Sequence, residues 1–179
     1  MLPITNGTES RVFDTDPPAN PVITKQLPAL VSLLAICLGT AALGGYLTSL
    51  SVGTWYTLLN KPSWNPPNWV FGPVWTTLYI TMAVAAWLVW RKSGNSGRRL
   101  SLAIFGVQLF LNSLWSALFF GLRNPGLAMV DLVLLWLAIV ATITAFRRID
   151  PRAAILLTPY LAWVTYAATL NWSIWQFNP

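Results

Sequence analysis

Histidine is absent from this chain, cysteine occurs once, and acidic residues number only five. Without histidine there is no imidazole base, no Ser-His-Asp triad, no His-liganded zinc and no histidine ligand for haem iron. A single cysteine excludes an intrachain disulfide; Cys37 sits inside a hydrophobic run and reads as small core filler. No glycine-rich loop ending in Lys-Ser/Thr is present to cradle phosphate. Charge is scarce as well. Only 9% of residues are charged, against about 25% in soluble domains. A chain with so little charge cannot cover a water-facing surface.

What is present is apolar. Hydrophobic residues make up 55% of the 179 positions, and mean hydropathy is +0.57. Five apolar runs stand out, at about 27–50, 69–90, 100–122, 125–146 and 153–175. Each is close to the ~20 residues that a bilayer-crossing helix needs. Backbone groups in lipid must pair within their own segment, so the runs are expected to be helices. The expected fold class is all-α: an integral membrane bundle of five transmembrane helices over residues 27–176. Residues 1–26 are polar and proline-rich and read as a disordered tail. Pro73 falls near the start of its helix, whereas Pro159 lies deeper and is expected to kink the fifth.

The cations are placed unevenly. Arg11, Lys25, Arg91, Lys92, Arg98, Arg99, Arg147, Arg148 and Arg152 fall on one side of this plan, and Lys61 and Arg123 on the other. Nine against two puts the N-terminus on the basic, cytoplasmic side and the C-terminus opposite. Because these charges flank apolar spans, the net +6 points to lipid headgroups and not to nucleic acid.

The link at 51–68 and the helix start after it are the most unusual stretch. Between Trp55 and Tyr79, four tryptophans alternate with five prolines and glycines. A rigid, uncharged, aromatic segment at a membrane surface suits a lid over a flat apolar ligand. It equally suits an aromatic belt at the headgroups. Further along, Gln108, Asn112, Trp115 and Phe119 share one helical face, as do Tyr160, Trp163, Ala167 and Asn171, and Trp75 with Tyr79. Amides in such a helix serve either as interhelical glue or as ligand contacts. Three stripes of aromatics with polar handles would form a pocket in which Trp N–H and Tyr O–H groups select a ligand's polar edge. Asp131 is the sole acid within a span. A pairing with Arg123 across the short link is the favoured reading, a proton relay the alternative.

The motif W-Y-x-x-L-x-K-P-x-W-x-P-P-x-W-V-F-x-P-V-W-x-x-L-Y at 55–79 resembles the signature of the translocator protein family, the tryptophan-rich sensory proteins also known as peripheral benzodiazepine receptors. Gln108 to Trp115 with Phe119-Phe120-Gly121 resembles that family's third helix, and Pro159 to Trp163 with Ala167 to Asn171 its fifth. The likeness covers about 28–176. It implies a ligand cavity lined by Trp69, Trp75, Tyr79, Asn112, Trp115, Trp163 and Ala167. It also implies tetrapyrrole or porphyrin ligands with no required cofactor, other partners such as sterols, drug-like molecules and membrane lipid, and a homodimer. Ala35/Gly39 and Ala41/Gly45 would permit close helix packing in such a dimer. Animal members end this helix with a sterol motif of the form L/V-x-Y-x-R; here Trp172 and Gln176 replace the tyrosine and arginine, which weakens the sterol expectation.

Three functions follow from this reading. The first is a receptor or carrier with a transport, sensing or stress-regulatory role. The second is a light- and oxygen-dependent porphyrin-degrading enzyme using Trp75 and Trp163. The third is a structural or regulatory partner without an obligatory ligand, marked by a cavity packed shut.

Overall fold

The computed structural model describes residues 21–92 and 94–178, with side chains from residue 26 onward. Five long helices form a single bundle: α1 (Pro21–Val52), α3 (Asn68–Trp90), α4 (Arg98–Ser116), α5 (Pro125–Arg147) and α6 (Pro151–Phe177). A one-turn helix α2 (Trp55–Leu58) lies in the link between α1 and α3, and α4 continues into a π-helical turn at Ala117–Gly121. All five are long and apolar enough to cross a membrane; 23 residues at 1.5 Å each span about 35 Å, more than the hydrocarbon thickness. The protein is a multi-pass, membrane-spanning five-helix bundle. α1 begins at Pro21, so its first turns occupy the end of the stretch expected as tail; residues 1–20 lie outside the described residues.

The sequence dictates the sharp helix starts. In α5, Asn124 accepts from the Leu127 amide at 3.0 Å and proline occupies the first helical position. In α6, Asp150 accepts from the Arg152 amide at 3.0 Å, again followed by proline. Asn-Pro and Asp-Pro each supply an acceptor for an orphan N–H and a preset φ. The turn before α5 is tighter than the sequence suggests: Arg123 takes φ +53°, a left-handed conformation that side chains other than glycine rarely adopt. Inside α6, Pro159 has no N–H for the Ile155 carbonyl, and the Thr158 hydroxyl donates to that carbonyl at 2.8 Å. The helix therefore runs through its proline without an orphaned acceptor.

Two apolar clusters stack along the bundle axis. The larger fills the half next to the basic ends, where Met82, Ala83, Ala86, Phe146 and Tyr160 are fully buried. Phe105 stacks on Phe146 there, with ring centroids 5.8 Å apart. The smaller joins Tyr56, Phe119, Phe120, Ala128, Leu170 and Ile174 under the link between α1 and α3.

Candidate ligand cavity

A cavity of about 520 Å³ occupies the lid half of the bundle, a size in the ordinary range of small-molecule sites. Its wall is aromatic: Tyr56 from α2, Phe71, Trp75 and Tyr79 from α3, Trp115 from α4, and Phe119 and Phe120 from the π-turn. Ala167, Leu170 and Asn171 of α6 form another side, and α1 contributes Ala41, Gly44, Gly45, Thr48 and Val52, none of them aromatic.

Five of the seven residues named from the sequence meet at this cavity: Trp75, Tyr79, Asn112, Trp115 and Ala167. Trp69 and Trp163 are not in its lining. Trp69 is 74% exposed. At about 100° per residue it lies some 120° around α3 from Trp75. Trp163 sits about 60° around α6 from Tyr160. It belongs to an outer aromatic row instead, packing on Phe71 at 6.0 Å and on Tyr166 at 5.5 Å, with Trp64 of the lid next at 5.7 Å from Tyr166.

The polar handles are engaged within the bundle. The Tyr79 hydroxyl donates to Asn112 Oδ1, and Asn112 Nδ2 donates to the Tyr160 hydroxyl at 2.8 Å. Trp115 Nε1 donates to Asn171 Oδ1 at 3.2 Å, while Asn171 Nδ2 donates to the Pro125 carbonyl at 2.8 Å. Asn112 thus serves as glue between α3, α4 and α6 and lines the cavity as well. The Tyr79 hydroxyl and Trp115 N–H, handles of the kind expected to select a ligand's polar edge, are here engaged in these internal bonds. The wall they leave is mainly apolar and aromatic and offers stacking faces and shape. Gln108, one turn deeper, is buried outside the lining, with Nε2 3.8 Å from Met82 Sδ and Oε1 without a partner among the described residues.

The π-turn is the feature that sequence periodicity missed. Phe119 and Phe120, adjacent within this turn, both line the cavity. The Ser51 hydroxyl donates to the Phe120 carbonyl at 2.7 Å, tying the end of α1 to this turn. Asp131 also departs from expectation. It is 3% exposed, and neither carboxylate oxygen has a hydrogen-bond partner among the described residues. The ion pair recorded among those residues is Lys92–Asp150 at 3.9 Å, so the expected Asp131–Arg123 pairing is not formed.

Bonds within the link between α1 and α3, and from it to the end of the chain and to α6, hold it over this end of the bundle. Tyr56 donates to Asn65 Oδ1 at 2.9 Å, and burial pushes its hydroxyl up to about 12, which keeps it a donor. Lys61 Nζ donates to the carbonyls of Tyr56 at 2.7 Å and Leu59 at 2.9 Å. Asn60 and Asn178 exchange two bonds of 3.0 Å, and the Tyr166 hydroxyl donates to the Trp64 carbonyl at 3.0 Å.

Comparison with known proteins gives a consistent picture. Residues 32–176 match the TspO/MBR family. The chain is 43% identical over 161 residues to the tryptophan-rich protein TspO of Chlorobaculum tepidum, covering 88% of this chain and 100% of that protein. It is 46% identical over 126 residues to the translocator protein of Homo sapiens, covering 69% and 75%. To the tryptophan-rich sensory protein of Cereibacter sphaeroides it is 41% identical over 148 residues, covering 83% and 90%.

Proposed function

This chain belongs to the TspO/MBR family, and on that premise we propose that it is a membrane receptor or carrier for flat, hydrophobic ligands of the tetrapyrrole class. The observation that carries the reading is the 520 Å³ cavity with aromatic walls in the lid half of the bundle. Its aromatic faces suit stacking against a macrocycle, and its internally bonded polar groups make no demand on the ligand's edge. The contacts are assigned to Trp75, Tyr79, Asn112, Trp115 and Ala167. Trp163 acts through Phe71, and Trp69 stands at the membrane surface beside the lid.

The test is a titration of the purified protein with protoporphyrin IX in the dark. Saturable tryptophan quenching that weakens about tenfold in Ala167→Leu is expected, since leucine would fill the cavity. Quenching that does not saturate, or that ignores this substitution, overturns the reading. A second reading, photo-oxidative degradation of the porphyrin, draws support from Trp75, an oxidisable indole in the lining. Illumination of the same complex separates the two, because protein-dependent decay to a discrete product assigns degradation.

The nine-to-two distribution of cations supports an N-terminus on the cytoplasmic side, with lid and C-terminus opposite. Cysteines placed at Gly7 and Asn178 should then label from opposite sides. Homodimerisation is supported by Ala35 and Gly39, which are exposed on the outer face of α1. Cross-linking at Ala35 in vesicles tests it.

A further inference from the structure

The cavity wall is not equally closed on all sides. Six of its lining residues are exposed: Gly45, Gly53, Thr57, Asn68, Gly72 and Thr76. All belong to α1, to α3 or to the link between them, and none to α4 or α6. At Gly45, Gly53 and Gly72, an added Cβ would meet nothing within 4 Å. On the other flank of α1 the contact is tight, since a Cβ on Gly44 would stand 3.2 Å from Ser116 Oγ. α1 is thus seated on α4 while its seam with α3 is open at the level of the cavity.

The bonding follows the same division. At the basic end α1 is fastened to α3, with Trp87 Nε1 donating to the Gln26 carbonyl at 3.1 Å and Cys37 buried in the shared core. In the lid half, no side-chain hydrogen bond joins α1 to α3 among the described residues. The hydroxyls that flank the seam turn back on their own helices, Thr48 to the Gly44 carbonyl at 2.8 Å and Thr76 to the Gly72 carbonyl at 2.9 Å. By contrast, the lid is held to α6 by the Asn60–Asn178 pair and the Tyr166–Trp64 bond. A ligand passing beneath the lid would break these bonds; one passing between α1 and α3 would break none.

The depth of the opening identifies where such a ligand comes from. The opening runs from the link and helix ends at Gly53, Thr57 and Asn68 down to Gly72, Gly45 and Thr76, which lie four, seven and eight residues, about 6–12 Å, inside their helix ends. That is the acyl-chain zone of the lid-side leaflet. We propose that the cavity is filled sideways from the membrane, through a glycine-bordered mouth between α1 and α3, by molecules already dissolved in the lid-side leaflet, while the lid stays shut. This rests on the cavity being a ligand site, and it adds the source of the ligand and the path it takes.

The test reads the path without using a porphyrin. In a Cys37→Ser background, Ala167→Cys places one thiol in the cavity. The protein is reconstituted in phosphatidylcholine vesicles, and N-(1-pyrenyl)maleimide pre-dissolved in the bilayer is the probe. Gly72→Leu and, separately, Gly45→Leu add bulk to the mouth, where the open space tolerates it. Gly72→Ala serves as the mild variant that keeps the helix intact. A lid staple is made from Asn60→Cys with Asn178→Cys, oxidised before the probe is added. The expected result is labelling slowed tenfold or more by either leucine, less by alanine, and changed under twofold by the staple. Labelling that is unaffected by both leucines, or slowed by the staple as much as by them, overturns the lateral route. Since the probe is not a porphyrin, a failed protoporphyrin titration and a failed route give separate signatures.

Discussion

The two halves of this bundle are built from the same helices and differ in what fills them. Towards the basic ends, alanines and large apolar side chains interlock: Ala83, Ala85, Ala86 and Val89 are fully buried, and Phe105 stacks on Phe146. Towards the lid, glycines face aromatics across open space, and the helices are held by a few amide bonds from Asn112 and Asn171. Close packing stabilises the first half, while the second half holds a cavity open because polar bonds and the π-turn fix its walls. In lipid, where apolar surface gains nothing by leaving water, this division matters more than it would in a soluble core. A structural protein without an obligatory ligand is expected to have its cavity packed shut, and the lid half does not meet that description.

The largest effect should come from cutting into the packed half. Phe146→Ala removes a fully buried ring and should cost about 3–5 kcal/mol, read by unfolding in mixed detergent micelles. Protoporphyrin affinity of the folded fraction should be unchanged. If affinity falls with stability, the halves are not independent. Asn112 lies at the boundary between them. Asn112→Leu leaves the hydroxyls of Tyr79 and Tyr160 without this partner, at about 1–3 kcal/mol for a buried orphan. It should lower both thermal stability and ligand affinity, and an effect on only one of them would move the boundary.

Within the hollow half, Trp75→Ala should weaken protoporphyrin binding about tenfold, the equivalent of about 1.4 kcal/mol, with little change in Tm. Trp163→Ala should weaken it by about threefold or less, since its ring meets Phe71 and Tyr166 and not the cavity. Its larger consequence should be a lid more open to proteolysis near Trp64. Equal losses of affinity would place Trp163 in the wall after all. The smallest effect concerns neither half. Arg123→Gly relieves the left-handed backbone before α5 and should stabilise the protein by about 1 kcal/mol, seen as a modest rise in Tm without change in binding.

Much of this was legible in the residues. Apolar length located four of the five spans to within two residues of their observed ends, while α1 starts six residues before its expected span; the caps at Asn124-Pro125 and Asp150-Pro151 were present in the sequence but not read from it. The stripe Gln108, Asn112, Trp115 and Phe119 works because all four positions fall within about 40° of one line on a helix, and three of them reach the cavity. The stripe through Tyr160 was less secure, because a spacing of three followed by two of four tolerates one member set off by some 60°, and Trp163 is that member. Phe120 lies about 100° from Phe119 on a regular helix and so fell outside the stripe, and no hydrophobic period announces the π-turn that holds both. Gly45 was read as a helix-packing position and Gly72 was given no role, and only the placement of α1 against α4 shows that both border space. Asp131 looked pairable with Arg123 from chain distance alone. The burial of one and the outward turn of the other left them apart.

Eleven tryptophans share this bundle, and only Trp75 and Trp115 line the cavity. The others ring it along helices about 35 Å long, within the reach of dipolar energy transfer to a visible-absorbing macrocycle. With such a macrocycle bound, the indoles would together serve as an antenna for it. Ultraviolet light absorbed at Trp87, Trp90 or Trp136 would be funnelled to a bound pigment without any contact between them. Quenching would then measure occupancy and not touch, and its amplitude should exceed the share of the two lining indoles.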